Sequence, residues 1–576
     1  MIVRPKRIYR KRIPYGMQNF EDVIKEDCYY VDKTPFIEQI EESNKYFFFI
    51  RPRRFGKTLT LSMLENYYDI NKKDKFEEIF GKLYIGQNPT PEHNTYLIIH
   101  LNFAEVAAGL DDYKDGLDNH CSLVFNFFCD IYAHLLPAGI KEGLEKLTDA
   151  VSQLRFLCQK CQEVGKKIYL FIDEYDNFTN MILAHEEHLM RYRNQTHGEA
   201  YLRQFFNTIK GAAGNTLGRV FVTGVSPVTM DDLTSGFNIG TNYSLSPDFN
   251  EMTGFTEEEV RKMLDYYGSV LPFNHTTDEL IKVMKPWYDN YCFAEERYGE
   301  TTMYNSVMVL NFVDNYIRSE YQIPKKMVET NIRIDYDKLR MLIRHDKEFA
   351  HDASIIQQLV TQGFVTGTLN ENFPAERIND PDNFLSLLFY FGMVTIDGTY
   401  KGETKFIIPN EVVRDQMYTY LLDTYKENDL VYDRYSKGKL ESKLAYDGQF
   451  KPYFEYIADC LKKYSSQRDK QKGEAFVHGF TLAMTSQNKF YRPISELDND
   501  GGYADIFLSP LCDIYKDMVD SYIIELKYCK SQTTDEQVKK LFEEASAQIS
   551  RYADSEMVRE AVKTTKLHKL VVIYRG

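Results

Sequence analysis

Gly56, Lys57 and Thr58 stand in the order that a phosphate-binding loop uses. Such a loop needs backbone N–H groups around one concavity, a helix N-terminus behind them, a lysine for the β and γ phosphates, and a hydroxyl for Mg²⁺. The three residues follow the apolar run 46–50 and precede a helical pattern at 59–68, which is the context that the motif requires. They predict a P-loop that binds a nucleotide with its magnesium ion.

The loop departs from the full glycine-rich pattern at its first position. Arg51 stands where the pattern has Gly, so the loop 51–58 is expected to be built differently from the common form. A guanidinium at Arg51, Arg53 or Arg54 is able to meet phosphate itself, and we include Arg53, Arg54 and Phe55 among the predicted nucleotide-binding residues. A loop that no longer binds nucleotide stays open as an alternative.

An acidic pair follows another apolar run, 168–172. A buried strand that ends in two carboxylates can place one on Mg²⁺ and the other on the attacking water. We therefore predict that Asp173 binds the nucleotide's metal ion together with Thr58, and that Glu174 is catalytic. Thr223, at the end of a further apolar run, offers a hydroxyl that could sense the γ-phosphate.

A second group of ionisable residues lies near the C-terminal end. Glu525 and Lys527 are two apart in a β-type run, so their side chains share one face, and Asp505 begins the neighbouring run. Two carboxylates can hold Mg²⁺ with hard oxygen ligands, while the ammonium orients water and offsets phosphate charge. This triangle is suited to metal-dependent phosphodiester hydrolysis, although a Glu-x-Lys pair alone is also typical of an exposed strand. Glu474, on a predicted helix at 473–485, is a candidate further metal ligand.

The elements that must position these residues fall into three blocks. From about 15 to 260, short apolar runs alternate with amphipathic helical segments, which predicts an α/β layer with a largely parallel sheet. Residues 261–430 are mostly helical in pattern, and 435–576 begin with helices and continue with strands as a second α/β unit. The predicted strands are 46–50, 96–103, 168–172, 219–223, 504–508, 521–526 and 570–574.

The middle block ends in a helix, a hairpin and a second helix. Residues 384–391 have the pattern of the first helix, Gly392 is its stop, and 393–408 form two short strands around the Asp-Gly pair at 397–398. Asn410 is positioned to cap the second helix. The order predicts a winged-helix-like connector.

Composition limits the classes of protein to which the chain can belong. Its 576 residues exceed one domain, and 43% hydrophobic with 27% charged residues is typical of packed globular proteins. A net charge of -15 argues against a surface coated with nucleic-acid-binding charge, but basic and acidic residues nearly balance from residue 431 onward. Nine cysteines at irregular spacing give no disulfide framework, and no apolar run reaches the roughly 20 residues that span a bilayer. We expect a cytoplasmic protein without membrane contact.

Several short runs resemble a bacterial family known as AAA-ATPase-like. The runs are 30–34, 51–58, 172–176, 223–226, 254–256, 304–305 and 408–412. In that family the Arg-Pro-Arg-Arg-Phe-Gly-Lys loop recurs, so the resemblance implies that Arg51 is a family trait and that the loop binds ATP with Mg²⁺. The resemblance covers nearly the whole chain.

An ordered set of residues near the C-terminus resembles the PD-(D/E)XK nuclease superfamily, in the branch found behind AAA-ATPase-like domains. The set is Glu474, Asp505, Glu525, Lys527 and Gln548. The resemblance implies that Asp505, Glu525 and Lys527 take the core positions, with Glu474 and Gln548 beside them. Ala504 replaces the Pro of the superfamily's name, a change that many members tolerate. The resemblance also implies Mg²⁺ as the metal ion, with Mn²⁺ able to replace it.

We therefore predict an α/β multidomain protein with a P-loop AAA-ATPase-like domain at 15–260, a helical linker or lid at 261–430 with a winged-helix-like end, and a PD-(D/E)XK nuclease-like domain at 435–576. ATP binding, with hydrolysis, is expected to control a magnesium-dependent nuclease that acts on nucleic acid, with DNA favoured over RNA. A homo-oligomer is compatible with this reading. The alternative is an ATP-switched nucleic-acid-binding or regulatory protein whose nuclease fold does not cleave.

Overall fold

The computed structural model of the chain describes residues 10–106, 113–177, 201–228, 239–328, 355–374, 377–378, 380–427, 431–465, 474–486, 488–499, 502–553 and 556–576. The chain forms two compact units, each built from two stretches of sequence. We call them the N-terminal unit (Met1–Gln322 with Thr366–Pro409) and the C-terminal unit (Ile323–Val365 with Asn410–Gly576). The predicted middle block 261–430 is thus divided between the two units. The three predicted domain limits and the winged-helix-like end stay predictions.

The N-terminal unit contains a sheet of five parallel strands in the order β2-β3-β4-β1-β5. The strands are β1 (Tyr46–Ile50), β2 (Tyr96–Asn102), β3 (Lys167–Asp173), β4 (Leu217–Gly224) and β5 (Thr241–Asn242). β4 is buried along its whole length and β3 along all but its first residue, as expected for parallel strands covered on both faces. The predicted parallel α/β sheet is confirmed, and its four predicted strands agree with the structure to within two residues at each end.

The described ranges contain twenty α-helices, which are distributed over the two units. In chain order they are α1 (Phe20–Lys25), α2 (Phe36–Glu42), α3 (Lys57–Tyr68), α4 (Phe76–Phe80), α5 (Tyr84–Gln87), α6 (Tyr113–Ile131), α7 (Ile140–Leu144), α8 (Ala150–Glu163), α9 (Tyr201–Ala212), α10 (Glu257–Val270), α11 (Thr277–Tyr288), α12 (Ser306–Arg318), α13 (Ile355–Thr361), α14 (Pro381–Tyr390), α15 (Glu411–Glu427), α16 (Arg434–Asp447), α17 (Phe450–Ser465), α18 (Glu474–Ser486), α19 (Asp535–Tyr552) and α20 (Glu556–Val562). α10 begins with the capping box that its sequence indicates, since Thr256 and Glu259 exchange both hydrogen bonds.

The carboxyl ends of the parallel strands meet at one edge of the sheet. Asn102 is in register with Asp173 on the neighbouring strand, and Ile50 is in register with Gly224. Open α/β sheets bind their ligands at this edge, where loops and helix N-termini converge. The loop after β1 and the acidic pair after β3 therefore start from the same side of the sheet.

The hairpin after α14 turns at a different place from the predicted one. β7 (Thr395–Tyr400) and β8 (Glu403–Ile407) pair antiparallel, and β6 (Phe364–Gly367) lies on the other side of β8. Lys401 and Gly402 have φ angles of 53° and 90° and form the two-residue turn. A tight turn of this kind needs a positive φ at both positions, whereas at 397–398 only Gly398 has one and the strand register shifts there. The predicted turn at 397–398 is therefore wrong, and that pair forms a bulge.

The C-terminal unit contains a four-stranded sheet in the order β12-β11-β10-β9. The strands are β9 (Tyr491–Asn499), β10 (Gly502–Pro510), β11 (Asp520–Cys529) and β12 (Lys566–Arg575). β10 runs antiparallel to both β9 and β11, and β12 runs parallel to β11. The three predicted strands of this unit are confirmed inside β10, β11 and β12, while β9 was not predicted.

None of the helices in the described ranges combines the length and the apolar character needed to cross a membrane.

Candidate functional site

The side chain of Arg51, at the start of the loop after β1, lies in the protein interior. Its guanidinium carbon is 4.3 Å from the ring centroids of both Phe49 and Phe293. It donates hydrogen bonds to three backbone carbonyls, those of Ile50, Ser244 and Phe249. Burial lowers the pKa of Arg51 to about 9, so the group is still a cation at neutral pH. The expectation that Arg51 could meet phosphate is therefore wrong, because both terminal nitrogens of its guanidinium donate to backbone carbonyls behind the loop.

Lys57 and Thr58 open α3 beside the loop. Lys57 Nζ donates to the carbonyl oxygens of Arg51 at 2.9 Å and Pro52 at 3.1 Å. Burial lowers the pKa of Lys57, and the carboxylates that follow β3 oppose this shift. Thr58 Oγ1 donates to Asp173 Oδ2 at 3.0 Å. The hydroxyl and the carboxylate that were predicted to share a magnesium ion are thus in direct contact.

The acidic pair lies where β3 ends. Glu174 has a φ of 50°, which is uncommon for a residue other than Gly, and its N–H donates to Asp173 Oδ1 at 2.9 Å. Burial raises the pKa of Asp173, and so does the charge of Glu174, while Lys57 and His100 oppose both effects. A buried carboxylate with a neighbouring carboxylate favours a nearby cation, so Asp173 and Thr58 fit as hard oxygen ligands of Mg²⁺.

A cavity of about 560 Å³ lies at this edge of the sheet, a size typical of small-molecule sites. Its lining contains every predicted site residue of this unit except Thr223: Arg53, Arg54, Phe55, Gly56, Lys57, Thr58, Asp173 and Glu174. The remaining walls come from residues within 14–18, 29–33, 252–255 and 306–310, together with Leu59, Thr60, Asn102, Ala104 and Asn177. The first amides of α3 lack intrahelical acceptors, which is the arrangement that binds phosphate oxygens. The residues present therefore fit a nucleotide with its metal ion.

Thr223 is buried, and it does not line this cavity. Its Oγ1 donates to the carbonyl oxygen of Phe49 at 2.6 Å, at the point where β4 and β1 are in register. The hydroxyl links two strands, and the structure does not bring it to the predicted phosphate position.

In the C-terminal unit the structure brings Asp505, Glu525 and Lys527 together. Lys527 Nζ lies 2.9 Å from Glu525 Oε1 and 3.8 Å from Asp505 Oδ2. These distances place one ammonium between two carboxylates.

The two strands that carry this cluster separate at the cluster itself. β10 and β11 are in register from Ile506 and Ile524 onward, and the pairing stops one residue before Asp505 and Glu525. Beyond that point Asp505 Oδ2 accepts the N–H of Leu526 at 2.7 Å. A side-chain oxygen has therefore replaced a backbone acceptor at the point where the pairing of the two strands ends.

The charges of the cluster are strongly coupled. Burial raises the pKa of Glu525, Asp505 and Glu474 add to this, and Lys527 opposes it. Burial lowers the pKa of Lys527, but the hydrogen bond to Glu525 and the charges of Asp505 and Glu474 outweigh it and raise the pKa. Glu525 Oε2 is buried and has no hydrogen-bond partner in the described part of the chain. A divalent cation would satisfy this oxygen, so the donor set fits Mg²⁺.

No group of three or more His, Cys, Asp or Glu side chains in the described ranges is arranged to hold a metal ion. Magnesium sites for phosphate chemistry commonly use one or two carboxylates and complete the octahedron with water and substrate oxygens.

Two flanking residues were predicted beside the cluster. Glu474 is the exposed first residue of α18, and its charge acts on both Glu525 and Lys527. Gln548 lies on α19, and its Oε1 is buried without a hydrogen-bond partner among the described residues.

Sequence reasoning missed His478, which lies on α18 one turn after Glu474. Its Nε2 is 3.1 Å from the carbonyl oxygen of Asp505, so Nε2 carries the proton and donates. The spacing of four residues from Glu474 was the available signal, because residues four apart share a helix face.

Two family models match the chain, and each covers one of these clusters. The family described as "Predicted AAA-ATPase" matches residues 14–234, and the family described as "PD-(D/E)XK nuclease superfamily" matches residues 472–576.

One curated relative is described as an uncharacterized protein in the vnfD 5' region of Azotobacter chroococcum mcd 1. It is 24% identical over 288 residues, which are 50% of this chain and 50% of that protein. The chain therefore spans about half the length of this relative.

Among solved structures, the ORC2 protein of Aeropyrum pernix in its ADPNP–ADP complexes aligns with 68% of this chain and 93% of its own, at 10% identity and a TM-score of 0.31. That likeness is too low to support an inference. The two family matches, each over the site that the structure assembles, show that the chain joins a domain of the predicted AAA-ATPase family to a domain of the PD-(D/E)XK nuclease superfamily.

Proposed function

We propose that the chain binds and hydrolyses ATP in its N-terminal unit and hydrolyses nucleic-acid phosphodiester bonds in its C-terminal unit, with the nucleotide state controlling cleavage. The observation that carries the proposal is the cluster of Asp505, Glu525 and Lys527 where β10 and β11 separate. An ammonium between two carboxylates, one of them with an unsatisfied buried oxygen, is suited to a metal ion and a phosphate.

In the N-terminal unit the loop residues hold the triphosphate. The first amides of α3 donate to phosphate oxygens, and the guanidiniums of Arg53 and Arg54 add positive charge from the cavity wall. Lys57 exchanges its two loop carbonyls for the β and γ phosphates. Thr58 and Asp173 hold Mg²⁺, and Glu174 orients the water that attacks the γ-phosphorus.

In the C-terminal unit Asp505 and Glu525 hold the metal ion, with Glu474 as a further ligand. When bound, Mg²⁺ or Mn²⁺ would supply a Lewis acid and would lower the pKa of the attacking water. Lys527 orients the attacking water and stabilises the negative charge that develops on the phosphate oxygens. The new bond joins the water oxygen to phosphorus, the bond from phosphorus to one ester oxygen breaks, and the leaving oxygen takes up a proton in exchange for the one that the water loses. We propose DNA before RNA as the substrate.

The decisive experiment is a cleavage panel with the full chain. Single- and double-stranded DNA and RNA are incubated with Mg²⁺ or Mn²⁺, with and without ATP, for wild type, Glu525→Gln and Glu536→Gln. Glu536 is an exposed residue on α19, so its variant controls for the same chemical change away from the cluster. We expect Glu525→Gln to lose cleavage by about 10²-fold or more, because its carboxylate acts in the transition state. Glu536→Gln should match wild type.

The panel also separates the two candidate functions. A wild-type chain that binds nucleic acid but cleaves none of the four substrates with either metal ion would favour the regulatory protein with a non-cleaving nuclease fold.

Control by nucleotide is tested with Lys57→Ala, and with Lys73→Ala as the control at an exposed lysine. Lys57→Ala should abolish ATP binding in calorimetry and change the cleavage rate measured with ATP. If both quantities are unchanged in Lys57→Ala, the proposed ATP control is wrong.

A further inference from the structure

A phosphate loop must turn its N–H groups toward the ligand, so its carbonyl groups need donors on the other side. In this chain each carbonyl from residue 51 to 56 has at least one donor. Lys57 Nζ donates to the carbonyl oxygens of Arg51 and Pro52, and Thr60 N donates to that of Gly56 at 3.0 Å. Asn305 Nδ2 donates to the carbonyl oxygen of Arg53 at 3.4 Å, and Gly254 N donates to that of Phe55 at 2.9 Å. The carbonyl oxygen of Arg54 accepts from Ser306 Oγ at 3.3 Å and from Val307 N at 3.4 Å. Lys57 and Thr60 serve three of these carbonyls from the beginning of α3, and the other three are held by distant residues, two of them by residues at the start of α12.

The carbonyl of Arg54 has the greatest need for such support. Arg54 has a φ of 70°, a left-handed conformation that is costly for a residue with a Cβ and that persists only where the surroundings hold it. Ser306 and Val307 both donate to this carbonyl. The first turn of α12 thus holds the most strained point of the loop.

The side chain of Asn305 forms hydrogen bonds with both α12 and the loop. Its Oδ1 accepts the N–H of Met308 as the N-cap of α12, and its Nδ2 donates to the carbonyl of Arg53. Ser306 lines the nucleotide cavity itself, and its Oγ lies 3.7 Å from the position that a Cβ would occupy at Gly56. A displacement of the loop therefore moves the cap of α12.

Phosphate binding makes these contacts more important. Lys57 now donates to the carbonyls of Arg51 and Pro52, and a phosphate draws the same ammonium toward the ligand. Once Lys57 has moved, the outside donors that remain for the loop come from Gly254 and from residues 305–307.

We propose that Asn305 and Ser306 are positioning residues of the nucleotide site, which hold the loop in its phosphate-binding shape and couple its occupancy to α12. The proposal rests on the proposed binding of ATP. It assigns the residues no contact with the reacting atoms; they act through the carbonyls of Arg53 and Arg54.

Two variants remove the contacts with little effect on the helix. Asn305→Asp keeps an N-cap oxygen of equal quality and removes the donor to Arg53. Ser306→Ala removes the hydroxyl that donates to Arg54. The matched control is Ser319→Ala, which removes the same atoms at the exposed C-terminal end of the same helix. Lys57→Ala is the control for loss of binding.

Calorimetry on the full chain then gives Kd for ATP and ADP with Mg²⁺, and thermal unfolding without nucleotide gives the stability. We expect Asn305→Asp and Ser306→Ala each to weaken both nucleotides about 5-fold, the factor that corresponds to one hydrogen bond of ordinary strength. The unfolding midpoint without nucleotide should stay within about 3 °C of wild type, because each variant loses at most one long hydrogen bond, of 3.4 Å or 3.3 Å. Ser319→Ala should bind like wild type.

The outcomes separate this inference from the proposed function. If wild type and Lys57→Ala both fail to bind either nucleotide, the proposed function fails and the inference fails with it. If wild type binds, Lys57→Ala does not, and both α12 variants have wild-type Kd values, the inference alone is overturned. A loss of affinity in Ser319→Ala equal to that in Ser306→Ala would attribute the effect to helix stability and would also overturn it.

Discussion

Replacement of Arg51 by Met should cost folding stability and leave nucleotide affinity nearly unchanged. The guanidinium donates to three backbone carbonyls and lies between two aromatic rings, and it does not line the nucleotide cavity. Arg53, two residues further along, does line the cavity. Arg53→Met is therefore the matched variant, and we expect the opposite pattern from it.

The size of the loss follows from opposing contributions. Hydrogen bonds to a charged group contribute about 1.5–3 kcal/mol each, so three of them suggest more than about 4 kcal/mol, and each cation–π contact adds about 1 kcal/mol. Removing the guanidinium also relieves the desolvation of a buried cation, which is worth several kcal/mol. We expect a net loss of about 3 kcal/mol, or about 6–12 °C in Tm at 2–4 °C per kcal/mol.

The assay compares urea unfolding and ATP calorimetry for wild type and both variants at a temperature where all are folded. Arg51→Met should lower the free energy of unfolding by about 3 kcal/mol with Kd for ATP within about 2-fold of wild type, while Arg53→Met should weaken ATP about 5-fold or more and change stability by less than about 1 kcal/mol. A variant Arg51→Met that unfolds like wild type but binds ATP ten times more weakly would refute the assignment of Arg51 to the interior.

Three further predictions concern stability. In urea unfolding, Gly392→Ala should destabilise the chain by about 1–2 kcal/mol more than Gly402→Ala. Both glycines have a positive φ, but only at Gly392 would the new Cβ lie 2.9 Å from the ring of Pro52. Burial raises the pKa of Glu21, but hydrogen bonds from three lysines lower it to about 2, below its ordinary 4.5. A depressed carboxyl pKa stabilises the fold above pH 4.5, and this stabilisation is lost as the pH falls toward 2. In denaturation curves, Glu21→Gln should therefore lower the free energy of unfolding by about 1 kcal/mol at pH 7 and by almost nothing near pH 2. Equal losses at the two pH values would contradict the assignment. Thr534→Ala removes the capping box of α19 and should cost about 1 kcal/mol in the unfolding transition of the C-terminal unit, with no change expected if the helix end is frayed.

Features that depend on neighbouring residues could be predicted from the sequence. The strand, loop and helix at 46–68 give the P-loop its context within about twenty residues, and the alternation in β11 places Glu525 and Lys527 on one face. The buried runs of β3 and β4 identified a parallel sheet for the same reason.

Features that depend on distant partners could not be predicted. Ser244 and Phe249, which accept from Arg51, lie 193 and 198 residues further along the chain. The donors to the loop carbonyls of Arg53 and Arg54 also come from 252 residues away. The sequence identifies a group that can donate a hydrogen bond, but the fold decides which acceptor receives it.

Donors and acceptors differ in how far their roles can be predicted at the edge of a parallel sheet. Strand ends and loops there present backbone carbonyls, which compete with a ligand for every N–H and O–H group. Arg51 and Thr223 were given phosphate roles by type and position, and in the structure both donate to carbonyls instead. A carboxylate and a backbone carbonyl are both acceptors, so they do not hydrogen-bond to each other. The carboxylate also keeps free lone pairs after it accepts an N–H. Asp173 and Asp505 each accept backbone N–H bonds and still lie beside a second ionisable group. Acidic residues at the ends of buried strand segments are therefore the more dependable sequence signal for a candidate metal site, whereas donor residues need the fold before a role is assigned.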